Sequence, residues 1–130
     1  MIAVDTNVLV RVLTNDEPAQ AKRAVKRMRA DTAWVSRTVL LETGWVLSHA
    51  YKLDAATIAD AFTTLLGVAT VEVEDRTAVL MAVSWYRAGM DFADALHLAV
   101  SDRASTFVSF DQSFAKAAKC AGATPTVSEP

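Results

Sequence analysis

Short apolar runs alternate along the chain with longer stretches in which apolar residues recur every three or four positions. This alternation predicts an α/β fold, a central and mostly parallel sheet of four to five short strands flanked by helices. The runs Ile2–Val4, Ala33–Ser36, Thr70–Val73 and Thr106–Ser109 read as strands, with a fifth near Thr124–Val127. No linker, low-complexity stretch or repeat interrupts them. One domain is therefore expected over 1–130, with a core of 1–127 and a tail of 128–130.

The helical stretches carry their own punctuation. Asp16-Glu17-Pro18 opens a helix through Met28, with Asp16 as N-cap and Pro18 in the first turn. Its apolar positions Ala21, Ala24, Val25 and Met28 share one face, which turns the basic residues outward. Asp54 caps a helix carrying Ile58, Ala61, Phe62, Leu65 and Leu66 that stops at Gly67. Asp75 caps the next, through Val79, Leu80, Val83 and Tyr86 to Gly89. Asp91 opens another, and the last runs from Gln112 to near Gly122. In the stretch Arg37–Leu47, Leu41 and Trp45 mark the expected buried stripe, which makes Trp45 a core residue.

Four acids fall where this pattern puts strand ends or the first turns of helices. Asp5 closes Ile2–Val4, Glu42 follows Ala33–Ser36 by less than two helical turns, Asp94 sits early in its helix, and Asp111 follows Thr106–Phe110. Open α/β sheets build their sites outside the carboxyl ends of the strands. An acid beside an apolar run is costly without a partner. Two unit negative charges ~4 Å apart repel by about 4 kcal/mol at an effective dielectric near 20. If the four converge, a hard divalent cation with oxygen ligands is the natural neutraliser, which points to a metal-dependent hydrolase. Each acid also has a plainer reading. Asp5, Asp91 and Asp111 can cap helices, Asp94 can complement a helix dipole, and Glu42 can be a solvated charge. Thr6, Asn7 and Ser109 can support a metal site or simply tie off strand-to-helix turns.

Charge adds a second feature. The net charge is −2, yet seven of the thirteen Lys and Arg residues lie in the first 37 positions. Five of them, Lys22, Arg23, Lys26, Arg27 and Arg29, fall together without an intervening acid. Such a patch gathers phosphates, or it is only a solvated helix face. Arg11, just beyond the first acid, is a further candidate for phosphate. Other chemistries fit poorly. One cysteine and two separated histidines make a weak zinc set. His97 is expected as a packed histidine, His49 as structural, and Cys120 as a small apolar filler. A phospho-receiver needs an acid pair after the first strand and a lysine after the last. An aspartate-nucleophile phosphatase wants an acid where Asn7 stands. No apolar run approaches the length of a membrane span, no export signal precedes Ile2, and the lone cysteine fits a reducing, cytoplasmic setting.

The segments Val4–Arg11, Leu41–Leu47, Asp91–Ala99 and Ser109-Phe110-Asp111, in this order and spacing, resemble a PIN domain, and more narrowly a VapC-type ribonuclease toxin of a toxin–antitoxin pair. The resemblance covers Met1 to about Val127. It implies a catalytic and metal-binding quartet of Asp5, Glu42, Asp94 and Asp111, with Thr6, Asn7 and Ser109 in support and Asp91 as an extra acid. It implies Mg²⁺- or Mn²⁺-dependent cleavage of single-stranded RNA, with tRNA or ribosomal RNA as targets. It also implies a homodimer, or a higher toxin–antitoxin assembly, silenced by a small antitoxin of the VapB type. The RNA contacts expected are Arg11, Lys22, Arg23, Lys26 and Arg27. The rival expectation is a catalytically silent PIN-like scaffold acting in a protein or nucleic-acid complex.

Overall fold

A computed structural model describes all 130 residues, Met1–Pro130. The fold is α/β, with seven helices and five short strands, every strand pair parallel. The chain divides into two compact units, Met1–Arg76 and Thr77–Pro130.

In the first unit, β1 (Ile2–Ala3), β2 (Ala33–Val35) and β3 (Val71–Val73) form one sheet in the order β1-β2-β3. Ile2 pairs with Ala33, and Ala33 with Val71. Parallel neighbours need long crossovers. These are α1 (Thr6–Thr14) with α2 (Pro18–Arg29), and α3 (Arg37–His49) with α4 (Ala55–Leu66). The central strand shows why the sheet is covered: Ala33 and Val35 are fully buried. α1 packs on α2 and α3, and α4 on α3 and β3. Leu9, Leu40, Leu47, Ile58 and Phe62 fill the core with at most 1% exposure.

The second unit holds α5 (Arg76–Arg87), α6 (Phe92–Ala99), β4 (Thr106–Val108), α7 (Gln112–Ala121) and β5 (Thr126–Ser128). β4 and β5 pair parallel as a sheet of their own, Thr106 with Thr126, and α7 crosses between them. The expected single sheet is thus two sheets. Ser128, assigned to a tail from the sequence, belongs to β5, and its carbonyl accepts the Ser109 N–H at 2.9 Å. Gly122 ends α7 in the left-handed region at φ 66°, a conformation without penalty for glycine.

Several expectations are corrected. Asp16 does not cap α2; Glu17 takes the N-cap position without a side-chain bond. Asp16 instead accepts hydrogen bonds from Arg11, Thr14 and Tyr51. Asp75 does not act as an ordinary cap for α5, because its φ of 57° is left-handed and its carboxylate pairs with Arg37 at 3.1 Å. On α3 the buried stripe is Leu40, Thr43, Gly44 and Leu47, so the register is one residue off the Leu41–Trp45 reading. Thr43 enters that stripe because its hydroxyl donates back to the Val39 carbonyl at 2.7 Å. Trp45 is 60% exposed and lies flat on the ring of His49, with centroids 4.6 Å apart and planes at 15°. His97 and Cys120 are exposed rather than packed. Leu80 is 46% exposed, and Ala82 and Trp85 take its expected place in the buried face of α5.

These positions fix an expected contrast. Trp45→Ala should shift stability by no more than about 0.5 kcal/mol, as for a surface site. Leu47→Ala should cost ~2–5 kcal/mol. Urea unfolding of both variants checks the register of α3 directly.

Candidate active site

Asp5 and Asp111 are placed by β-to-α turns, Glu42 lies within α3, and Asp91 and Asp94 follow the turn from α5 to α6. After β1 the chain passes through Val4, whose N–H still bonds the Trp34 carbonyl at 3.1 Å, into the extended Asp5. Asp5 caps α1: its Oδ1 accepts the Val8 N–H at 3.0 Å. That leaves Oδ2 without a partner. Thr6 is buried and Asn7 is exposed, so Asn7 is the one of the pair that faces solvent. At the end of β2, Ser36 caps α3 through Val39. Glu42 lies on the outer side of α3, exposed and without a hydrogen bond or ion pair. It shares that side with Trp45, one turn on.

The turn after β3 holds two acids that sequence reasoning passed over as site candidates. Glu74 accepts the Arg37 N–H at 3.0 Å and pairs with its Nε at 3.3 Å, while Asp75 takes the other end of the guanidinium. The two carboxylates thus share the single charge of Arg37. The run Glu72-Val73-Glu74-Asp75 is the signal that could have marked them.

In the second unit, Asp91 caps α6 by accepting the Asp94 N–H at 3.1 Å on Oδ2. Asp94 stands in the first turn of α6, half-buried. A helix N-terminus favours a negative charge. Even so, the Asp94 carboxyl is pushed above the ordinary aspartate range. Burial is the largest cause, followed by the charges of Asp91 and Asp111, with His97 pulling weakly the other way. Asp111 is held the opposite way. It caps α7, its Oδ1 accepting the Ser113 hydroxyl at 2.6 Å and the Phe114 N–H at 3.1 Å. These bonds, the serine's first, keep its carboxyl below the usual range. Ser109 takes the Asp111 N–H on its hydroxyl at 3.0 Å. As with Asp5, one carboxylate oxygen is fixed and Oδ2 is left open.

The structure thus sets Asp91 and Asp111 within electrostatic reach of Asp94. No three His, Cys, Asp or Glu side chains stand as a formed metal-ligand group.

The profile of the PIN domain matches residues 2–119. The chain belongs to the PIN domain family. PIN domains are generally nucleases and usually use divalent metals. No curated protein matches the chain. Within the second unit, Asp111 holds one carboxylate oxygen open, and Asp94 is a crowded, half-buried carboxylate that a hard cation would relieve. No helix is long and apolar enough to cross a membrane.

Of the basic candidates, Arg11 is already committed. Its Nε donates to Gln20 at 2.9 Å, and its Nη1 to Asp16 at 3.3 Å and to the Tyr51 hydroxyl at 3.2 Å. Tyr51 in turn donates to Asp16 at 2.5 Å, which is the largest cause holding that carboxyl low. Arg11 is a strut joining α1 to the turns around it. Lys22, Arg23, Lys26 and Arg27 are exposed on α2, as expected.

The two aspartates should respond to pH with opposite signs. The raised pKa of Asp94 makes its ionised form a liability to the fold, absent at acid pH and fully present above the folded pKa. Asp94→Asn should therefore raise the melting temperature at neutral pH and lose that advantage below the ordinary aspartate range. Asp111 contributes stability above its unfolded pKa and loses it as pH falls through the lowered folded pKa. Asp111→Ala, which also removes the cap, should lower the melting temperature at neutral pH and have less effect in acid. Thermal melts of the three proteins across that range check both signs.

Proposed function

We propose that this PIN domain is a metal-dependent endoribonuclease that acts as a VapC-type toxin. The observation that carries the reading is Asp94, a half-buried carboxylate whose ionised form is disfavoured first by burial and then by the charges of Asp91 and Asp111. A nuclease of this family has a use for such a group, because crowded carboxylates gain most from a bound cation. Asp5, Glu42, Asp94 and Asp111 would hold Mg²⁺ or Mn²⁺. Grouping the first two, carried by the Met1–Arg76 unit, with the last two rests on the order of the family's motifs. When bound, the metal supplies an activated water and offsets charge on the phosphodiester under attack.

The chain's own groups have narrower tasks. The caps of α1 and α7 fix the carboxylates of Asp5 and Asp111 by one oxygen, so the other presents without rotamer cost. Ser109 and Ser113 lock the orientation of Asp111. Asn7, exposed beside Asp5, is placed to hydrogen-bond a substrate oxygen. The substrate is single-stranded RNA, in targets such as tRNA or ribosomal RNA. The active protein is a homodimer, and a VapB-type antitoxin blocks it.

Purified wild type should cleave single-stranded RNA with Mg²⁺ or Mn²⁺ and lose activity in EDTA. Asp5→Asn and Asp94→Asn should abolish cleavage while keeping the fold, since Asn can replace Asp5 as a helix cap and the second change removes a charge from a crowded, half-buried position. The metal should also stabilise wild type, by ~2.7 kcal/mol at a hundred times its dissociation constant, and stabilise neither variant to that extent. A wild type that melts identically with and without metal and cleaves nothing would instead describe a silent scaffold.

A further inference from the structure

The basic run of α2 lines a groove between α1 and α2. The groove has a volume of about 880 Å³, and Asn7, Val8, Arg23, Ala24, Lys26 and Arg27 line it. No acid lines it. Arg11 also borders it, but its guanidinium is held by Asp16 and Gln20. Arg23 and Lys26 make no hydrogen bond or ion pair, and Arg27 reaches Asp31 only at 3.9 Å in an exposed pair. Three cations therefore face one groove with almost nothing to neutralise them.

The groove also leads somewhere. A second cavity of about 500 Å³ shares Val8, Ala24 and Arg27 with it and ends at β1 and Asp5. Arg27 stands at the junction. Lys22 and Arg29, on the same helix, line neither cavity.

We propose that this continuous trough is a phosphate track, in which Arg23, Lys26 and Arg27 hold the backbone of a single strand of RNA and lead it past Val8 and Ala24 to Asp5. The inference rests on the nuclease reading and adds to it the path of the substrate. Arg23 and Arg27 are separated by about 6 Å along the helix axis, the scale of one step between neighbouring phosphates. A cationic groove between two helices follows one backbone and makes no demand on base identity. The small apolar floor leaves room for the strand and supplies no pocket for a particular base. The protein is acidic overall, so it has no general attraction for RNA, and this local patch has to supply it. An acidic peptide would also meet the charge, but the trough ends at a carboxylate assigned to phosphodiester cleavage, which favours the nucleic acid.

The test uses the full chain carrying Asp94→Asn to stop cleavage, with a fluorescein-labelled oligouridylate as the probe and anisotropy as the readout. Adding Arg23→Ala and Lys26→Ala should weaken binding equally for other sequences and lower the slope of log K against log salt by about 1.4. Adding Lys22→Ala and Arg29→Ala removes the same charge from the same helix and should leave the slope unchanged. Equal slopes for the two double variants, in a protein whose wild type still cleaves RNA with metal, overturn the track and leave the nuclease reading standing. A wild type that cleaves no RNA, with an Asp94→Asn chain that binds none at any salt, overturns both. Loss of polyglutamate binding in the Arg23/Lys26 variant, with oligouridylate binding intact, assigns the groove to an acidic peptide and overturns the track.

Discussion

The structure depends on one recurring device, a short polar side chain just ahead of a helix that closes the helix's first turn. The first N–H groups of a helix have no partner inside it. Asp5, Ser36, Asp54, Asp91 and Asp111 each accept one of them at the start of a helix. Strands of two or three residues cannot direct the chain for long, so the caps set where each helix begins and which way it leaves. Three of these caps are candidate site residues. Capping and chemistry are compatible because a carboxylate has two oxygens: Asp5 and Asp111 give Oδ1 to the helix and keep Oδ2.

Asp94 is the exception that gives the site its character. It does not serve as a cap, it is half-buried, and it sits beside the caps of two helices. The helix dipole favours its charge while burial and two neighbouring carboxylates oppose it, and the opposition wins. A fold keeps such a group at some loss of stability, and perturbed carboxylates of this kind cluster at functional sites. The same contrast separates Asp94 from Glu74 and Asp75, acids at a strand end that share the Arg37 guanidinium.

Charge is partitioned between structure and surface in a comparable way. Arg11 and Arg37 are fixed by acids and bind segments of the first unit together. On α2 the cations are left open, because the buried side of that helix, Ala21 and Met28, needs none of them. Their mutual repulsion is a small cost on an exposed helix. It is retained on the face that borders the groove.

The sequence by itself determined the alternation of strands and helices, the family, and the acids worth following, because these depend on local periodicity, turn chemistry and motif order. Asp5 and Asp111 were legible as caps and as candidate ligands, Asp91 as a cap and an extra acid, and the structure has all three capping. Tertiary structure alone decided the rest. The register of α3 shifted by one residue because Thr43 satisfies its own hydroxyl on the preceding turn, which lets it enter the core and turns Trp45 outward. Asp16 left its expected cap for Arg11 and Tyr51, and Tyr51 lies 35 residues away in sequence. The strands separated into two sheets through pairing that no local pattern encodes. Which acids are neutralised, which stay crowded, and which cations border a groove all depend on neighbours distant in sequence, and those only folding brings together.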